Sequence, residues 1–220
     1  MADQQAPGAV SSSTGPRFAL PSPRIGVPTT GRLEFLVFRN GKPLGRHEIR
    51  FSDRNGDLLA DISVDYVVKL GPVNLFRYKL RGRETWSDGR LASAHVQTDN
   101  NGKQEYLSAI REGEALIVEG RRARRARPPR GSLIATHWNI AQLDGPMINP
   151  QDGSLMRFSV KTMGLSTLMG AKGGAARTAK RYGLSGQNPM ELWYEDPGLW
   201  VGLRAKAFDG SIISYTLASS

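Results

Sequence analysis

Of the seven Asn-Gly or Asp-Gly pairs in this 220-residue chain, six carry the argument: Asn40-Gly41, Asn55-Gly56, Asp88-Gly89, Asn101-Gly102, Asp152-Gly153 and Asp209-Gly210. A tight type I′ turn needs positive φ at both central residues, which Asn, Asp and Gly tolerate best. Most of the pairs stand between stretches in which apolar and polar residues alternate. A chain built this way folds back on itself strand by strand. The expectation is an antiparallel meander.

The clearest strand runs from Asp57 to Leu70, where Leu58, Ala60, Ile62, Val64, Tyr66, Val68 and Leu70 share one face. Period-2 alternation over that length is a half-buried strand and not a helix; Gly71-Pro72 ends it. From Asn74 to Ser87, Phe76, Tyr78, Leu80, Gly82, Glu84 and Trp86 point one way, and Arg77, Lys79, Arg81, Arg83 and Thr85 the other. Arg32–Arg39 and Leu44–Phe51 read as an opening hairpin, and comparable runs continue to Leu217. The pattern predicts about eleven strands. Because twist accumulates across neighbouring pairs, an all-β fold is expected: a strongly curved antiparallel meander sheet or incomplete barrel with an apolar concave side. Only Ser132–Asp144 lacks alternation, and it is expected to carry a short helix or a lid across the concavity.

Residues 1–31 contain five of the thirteen prolines with many Ala, Ser and Gly. So little apolar surface does not offset the cost of ordering, which predicts a flexible arm before a single β domain over 32–220. No run of about 18 apolar residues is present to span a membrane as a helix. The opening Met-Ala-Asp-Gln-Gln reads as a mature terminus from which a leader was removed. The expected setting is periplasmic or secreted, or cytoplasmic if Met1 is the native start. With three histidines, no cysteine and no ligand spacing, no metal or other cofactor is expected.

Thr136-His137-Trp138-Asn139 lies in the one segment without alternation, where a β scaffold would place a site. An imidazole, an indole and an amide there could orient the polar end of a ligand at the mouth of an apolar groove. The plainer reading is a packed loop whose Trp138 plugs the open sheet while Asn139 bonds backbone. Glu84 shares a face with Tyr78 and Trp86. An inward carboxylate must be paired, protonated or near solvent, and could serve as an acid, a base or a ligand anchor; otherwise a bulge turns it outward or an arginine satisfies it. His47 and His95 are expected at the surface. Gly170–Gly174 lacks the spacing of a phosphate loop and reads as a hairpin connection.

The net charge of +10 suggests an acidic partner. Six arginines, Arg121, Arg122, Arg124, Arg125, Arg127 and Arg130, crowd one stretch that Pro128 and Pro129 should keep out of a regular ladder. It reads as a solvated loop or as a patch for an anionic surface or polyanion. Nucleic acid is disfavoured, because alternation separates the aromatic residues of the strands from their arginines.

Three blocks occur in order: Phe76-Arg77-Tyr78 through Glu84-Thr85-Trp86-Ser87-Asp88-Gly89-Arg90-Leu91, then Thr136-His137-Trp138-Asn139, then Glu191-Leu192-Trp193-Tyr194 with Trp200-Val201-Gly202-Leu203. Together they resemble a bacterial family of secreted or periplasmic β-rich domains of unknown function. The resemblance spans roughly Leu33 to Leu217 and carries over no catalytic residues. Its style is similar to curved-sheet envelope domains that carry or sense lipids. The expected function is therefore a non-enzymatic envelope protein holding a lipid-like or other apolar ligand against Tyr66, Tyr78, Glu84, Trp86, His137, Trp138 and Asn139. An enzyme using Glu84 or His137 in the same concavity is the alternative, and polyanion binding by the arginine stretch is a second.

Overall fold

The computed structural model describes residues 24–70, 73–170, 174–186 and 188–220. Gly71-Pro72, residues 171–173 of the glycine-rich connection and residues 1–23 of the expected arm lie outside them.

Eight strands follow one another as hydrogen-bonded neighbours: β1 (Arg32–Arg39), β2 (Lys42–Arg54), β3 (Asp57–Leu70), β4 (Val73–Ser87), β5 (Arg90–Asn100), β6 (Lys103–Glu112), β7 (Ala115–Gly120) and β8 (Ala123–Ala126). A second run comprises β12 (Phe158–Leu168), β13 (Arg177–Gly186), β14 (Met190–Glu195), β15 (Leu199–Lys206) and β16 (Ile212–Ser219). Antiparallel pairing of β16 with β1 joins the two runs into one 13-stranded sheet, with β12 and β8 at its edges. Between the runs, the chain forms a small sheet of β9 (Leu133–Ile134), β10 (Met147–Ile148) and β11 (Leu155–Met156), together with a 3-10 turn at Ile140–Asp144.

Those six Asn-Gly or Asp-Gly pairs occur in connections between antiparallel partners. In four of them, at Asn40, Asn55, Asp88 and Asn101, both residues have positive φ, as a primed turn requires. The register that these turns set leaves Leu58, Ala60, Ile62 and Val64 buried on the inner face of β3. Outside, Asp61 pairs with Arg83 at 2.6 Å and Asp65 with Arg81 at 2.6 Å across the β3–β4 ladder. These exposed pairs contribute little stability each, about 0–1 kcal/mol.

Inner-face residues of every strand from β1 to β7 and from β13 to β16 belong to one apolar cluster. Ile134, Trp138, Met147, Ile148 and Met156 of the intervening segment belong to it too. The sheet thus wraps around a segment of its own chain, and the concavity is largely filled by it.

Two expectations need correction. The arginine stretch is not a loop without a ladder: Ala123–Ala126 is an edge strand on β7, and the prolines come after its end. Residues 24–31 of the expected arm lie against the domain. Gly26 is buried so closely that an added Cβ would meet the Trp138 carbonyl oxygen at 2.5 Å, and Arg24 pairs with Asp53.

Candidate functional site

Cross-strand rows on the inner face explain how the interior is divided. One row runs Phe51, Ala60, Glu84, Ala94, Ala109 and Val118 across β2 to β7. Alanines on either side of Glu84 leave room above the sheet, and Trp138 fills it. The Trp138 ring meets Trp86 edge-on at 5.3 Å and Phe51 at 5.2 Å.

Glu84 itself is 1% exposed and carries no cation partner among the described residues. Its Oε2 accepts from the indole N–H of Trp86 at 2.9 Å and of Trp138 at 3.0 Å, and its Oε1 accepts from the Thr136 hydroxyl at 2.7 Å. Burial raises its pKa, and the three donors oppose that rise. All three donors are neutral, so the carboxyl is a structural tie between β4 and the segment crossing the interior.

Two rows along, His47 of β2 lies opposite Val64, Val64 opposite Leu80 and Leu80 opposite Thr98. The row beyond holds Gly45, Tyr66, Tyr78 and Asn100. Here the filling segment leaves a cavity of about 430 Å³. Ile62, Val64, Phe76, Leu80, Met156 and Met190 form its apolar wall. Its polar groups are His47, His137, Thr136 and the tyrosines Tyr66, Tyr78 and Tyr215, with amides from Asn100, Asn149, Gln151 and Asn188. No Asp, Glu, Lys or Arg lines it among the described residues.

The Tyr66 and Tyr215 hydroxyls hydrogen-bond to each other, and Tyr66 stacks on Tyr78 with ring centroids 5.4 Å apart. Burial pushes Tyr215 up to about 12 and raises Tyr66 and Tyr78 as well, so all three stay protonated. His47 is 4% exposed, packed against Trp200 and Tyr215 at 5.3 and 5.7 Å, and neither ring nitrogen has a hydrogen-bond partner among the described residues. Burial, helped by nearby His137, lowers its pKa to about 3. Burial likewise lowers His137 to about 4. The result is a neutral chamber with an uncommitted imidazole.

His137 reaches this place through a left-handed backbone, φ +69°, a region His enters more readily than most residues. Its carbonyl accepts from the Tyr194 hydroxyl at 2.8 Å, and that hydroxyl accepts from Gln142 Nε2 at 2.7 Å. Asn139 Oδ1 accepts from the Ala141 N–H at 3.0 Å and caps the 3-10 turn.

Residues 35–218 match the family described as Domain of unknown function, DUF6134. The chain belongs to this family. No curated protein matches it. Among solved structures, this DUF6134 domain is similar to a beta-barrel-like protein of the domain of unknown function DUF1849 from Brucella abortus. The TM-score is 0.57 over 86% of this chain and 95% of that one, at 9% identity. At that identity the likeness shows the fold alone.

Of the residues expected to line one groove, Tyr66, Tyr78 and His137 do meet in the 430 Å³ cavity. Glu84, Trp86, Trp138 and Asn139 do not line it. Glu84 faces inward, as alternation requires, yet it is satisfied by indoles and a hydroxyl and not by an arginine. It is also sealed away from the space His137 faces, so the two do not converge on a common substrate atom. Trp138 is fully buried, which is the packed reading of its segment. His47, expected at the surface, is a core residue; its alternation with Ile49 and Phe51 was the available signal. His95 is exposed. Of the six arginines, Arg121, Arg122, Arg125 and Arg130 pair with Glu105, Asp152, Glu112 and Glu114, at 3.4, 3.3, 3.3 and 3.0 Å. Most of that charge is locally matched, which weakens the case for a polyanion patch.

Proposed function

We propose that this protein binds a small, uncharged, mostly apolar molecule in the 430 Å³ cavity, without transforming it, as a ligand-holding protein of the cell envelope. The supporting observation is the pairing of an uncharged wall with a buried His47 whose two ring nitrogens lack partners. A buried polar group left unpaired costs about 1–3 kcal/mol. A hydroxyl or carbonyl on the ligand would remove that cost. The volume falls within the roughly 300–1,000 Å³ of small-molecule sites.

Uncharged walls favour a neutral ligand, because an ionised group here would lose hydration without a counter-charge. Burying an eight-carbon chain would gain roughly 6 kcal/mol before ordering costs, which points to modest affinity for simple alkyl compounds. The test is native mass spectrometry on detergent-free protein, followed by calorimetric titration with 1-octanol. One bound molecule per chain is expected, and Met190→Trp, which puts an indole into the cavity, should eliminate it. Binding that survives Met190→Trp, or no binding of any alkyl alcohol, would refute the proposal.

A further inference from the structure

The Glu84 row separates the neutral cavity from a second space at the other ends of the same strands. This second cavity, of about 530 Å³, lies between Trp86, Leu91, Leu116 and Leu133, under the Pro128-Pro129-Arg130 turn. Its electrostatics are opposite in kind. Arg90, Arg111 and Arg130 face it along with Glu114 and Asp144, three positive charges against two negative.

Glu114 is already committed. It takes both Arg90 Nη atoms at 2.7 Å and Arg130 Nη2 at 3.0 Å. Arg111 gives its Nε to the Leu91 carbonyl at 2.7 Å and its Nη1 to the Glu114 carbonyl at 3.4 Å. That leaves Arg111 Nη2 and Arg130 Nη1 with no bond among the described residues. Burial and the neighbouring Arg90 lower the Arg111 pKa, as expected for a cation crowded by its own kind. Ser132 also lines the space; it is 5% exposed and its hydroxyl has no partner among the described residues. Two spare guanidinium donors and an orphaned hydroxyl border an apolar hollow carrying one unmatched positive charge.

We infer that this second cavity is a binding site for a monoanionic amphiphile, a carboxylate on an alkyl or aryl body. The carboxylate would take N–H groups from Arg111 and Arg130 and the Ser132 hydroxyl. Its body would lie on Trp86, Leu91, Leu116 and Leu133. Guanidinium groups suit planar carboxylates, and bonds between charged partners are about twice as strong as neutral ones.

The experiment is calorimetric titration with sodium octanoate and, separately, with 1-octanol. Octanoate should bind wild-type protein once, more weakly at high salt. Arg111→Met and Arg130→Ser should each weaken it by about tenfold or more, and Ser132→Ala should weaken it less. Met190→Trp, in the other cavity, should leave it unchanged. Arg130 is a surface side chain, so Arg130→Ser tests the site even if Arg111→Met does not fold. Absence of octanoate binding, equal affinity in Arg130→Ser, or loss in Met190→Trp would overturn the inference. The two readings fail separately: 1-octanol reports on the neutral cavity, and arginine-dependent octanoate binding on this one.

Discussion

Trp138 donates its indole N–H to Glu84 Oε2 at 3.0 Å, across 54 positions of sequence. That bond fastens the segment that fills the concavity to the wall it fills. Trp86, two residues from Glu84 on the same strand, donates to the same oxygen. Removing the carboxylate should therefore loosen the filling segment as well as unpair three donors.

Glu84→Ala should destabilise the protein by about 3–5 kcal/mol, since two indole N–H groups and the Thr136 hydroxyl lose their acceptor in a buried site. Glu84→Gln keeps one oxygen but points an amide N–H₂ at neighbouring donors, so it should recover only part of the loss. Urea denaturation of the two variants checks both. Equal stability of Glu84→Ala and wild type would mean that the cluster holds nothing together.

Acid should destabilise the fold through its histidines. The folded pKa of His47 is lowered, so its contribution is complete above the unfolded value near 6.5 and is lost as pH falls toward about 3. From neutral pH to pH 5 that loss is about 2 kcal/mol. His137, lowered to about 4, acts in the same direction. Glu84 acts in the opposite one. Its folded pKa is raised, so its contribution is complete below the ordinary 4.5 and is lost as pH rises through the folded value. Denaturation at pH 7.5 and pH 5 should show weaker folding at pH 5, and His47→Leu should flatten the difference. An unchanged slope in His47→Leu would show that this imidazole is not buried neutral.

Two glycine substitutions should differ sharply although both sit in the same sheet. Gly102→Ala occupies open space but forces φ +90° on an L-residue, which costs about 1–2 kcal/mol. At Gly45, an added Cβ would lie 1.9 Å from the Asp65 carbonyl oxygen, so β2 and β3 would have to separate. Gly45→Ala should fail to fold or melt far lower. Comparable melting temperatures for the two variants would contradict this β2–β3 pairing.

Tyr66→Phe offers a test of the neutral cavity that leaves its volume almost unchanged. It leaves the buried Tyr215 hydroxyl without its partner and should lower stability by about 1 kcal/mol. If the hydroxyl pair also orients the ligand, 1-octanol affinity should fall in parallel. Thermal denaturation and titration of the same variant separate the two effects.

The long hairpin strands of this fold could be read in advance, although about eleven strands were expected and sixteen form among the described residues. Asp57–Leu70 coincides with β3 because period-2 alternation and the Asn55-Gly56 turn before it are both local signals. The inward direction of Glu84 and the proximity of Tyr66 and Tyr78 follow from the same alternation and pairing. The site was legible only in part. His47 alternates with core residues, yet its burial depends on Trp200 and Tyr215, more than 150 positions away, and no local pattern announces them. β8 was hidden because charge and nearby prolines suggest a loop, whereas an edge strand keeps its arginines in solvent and its ladder on one side.

By itself, the amino-acid order determined where the long strands run, where their hairpins reverse and which of their faces is apolar, since turn chemistry and alternation act between near neighbours. Only the tertiary structure decided that the hollow would be divided, because Trp138 must cross the interior before it can reach Glu84. Long-range contacts of that kind left a neutral chamber on one side and an arginine-lined one on the other.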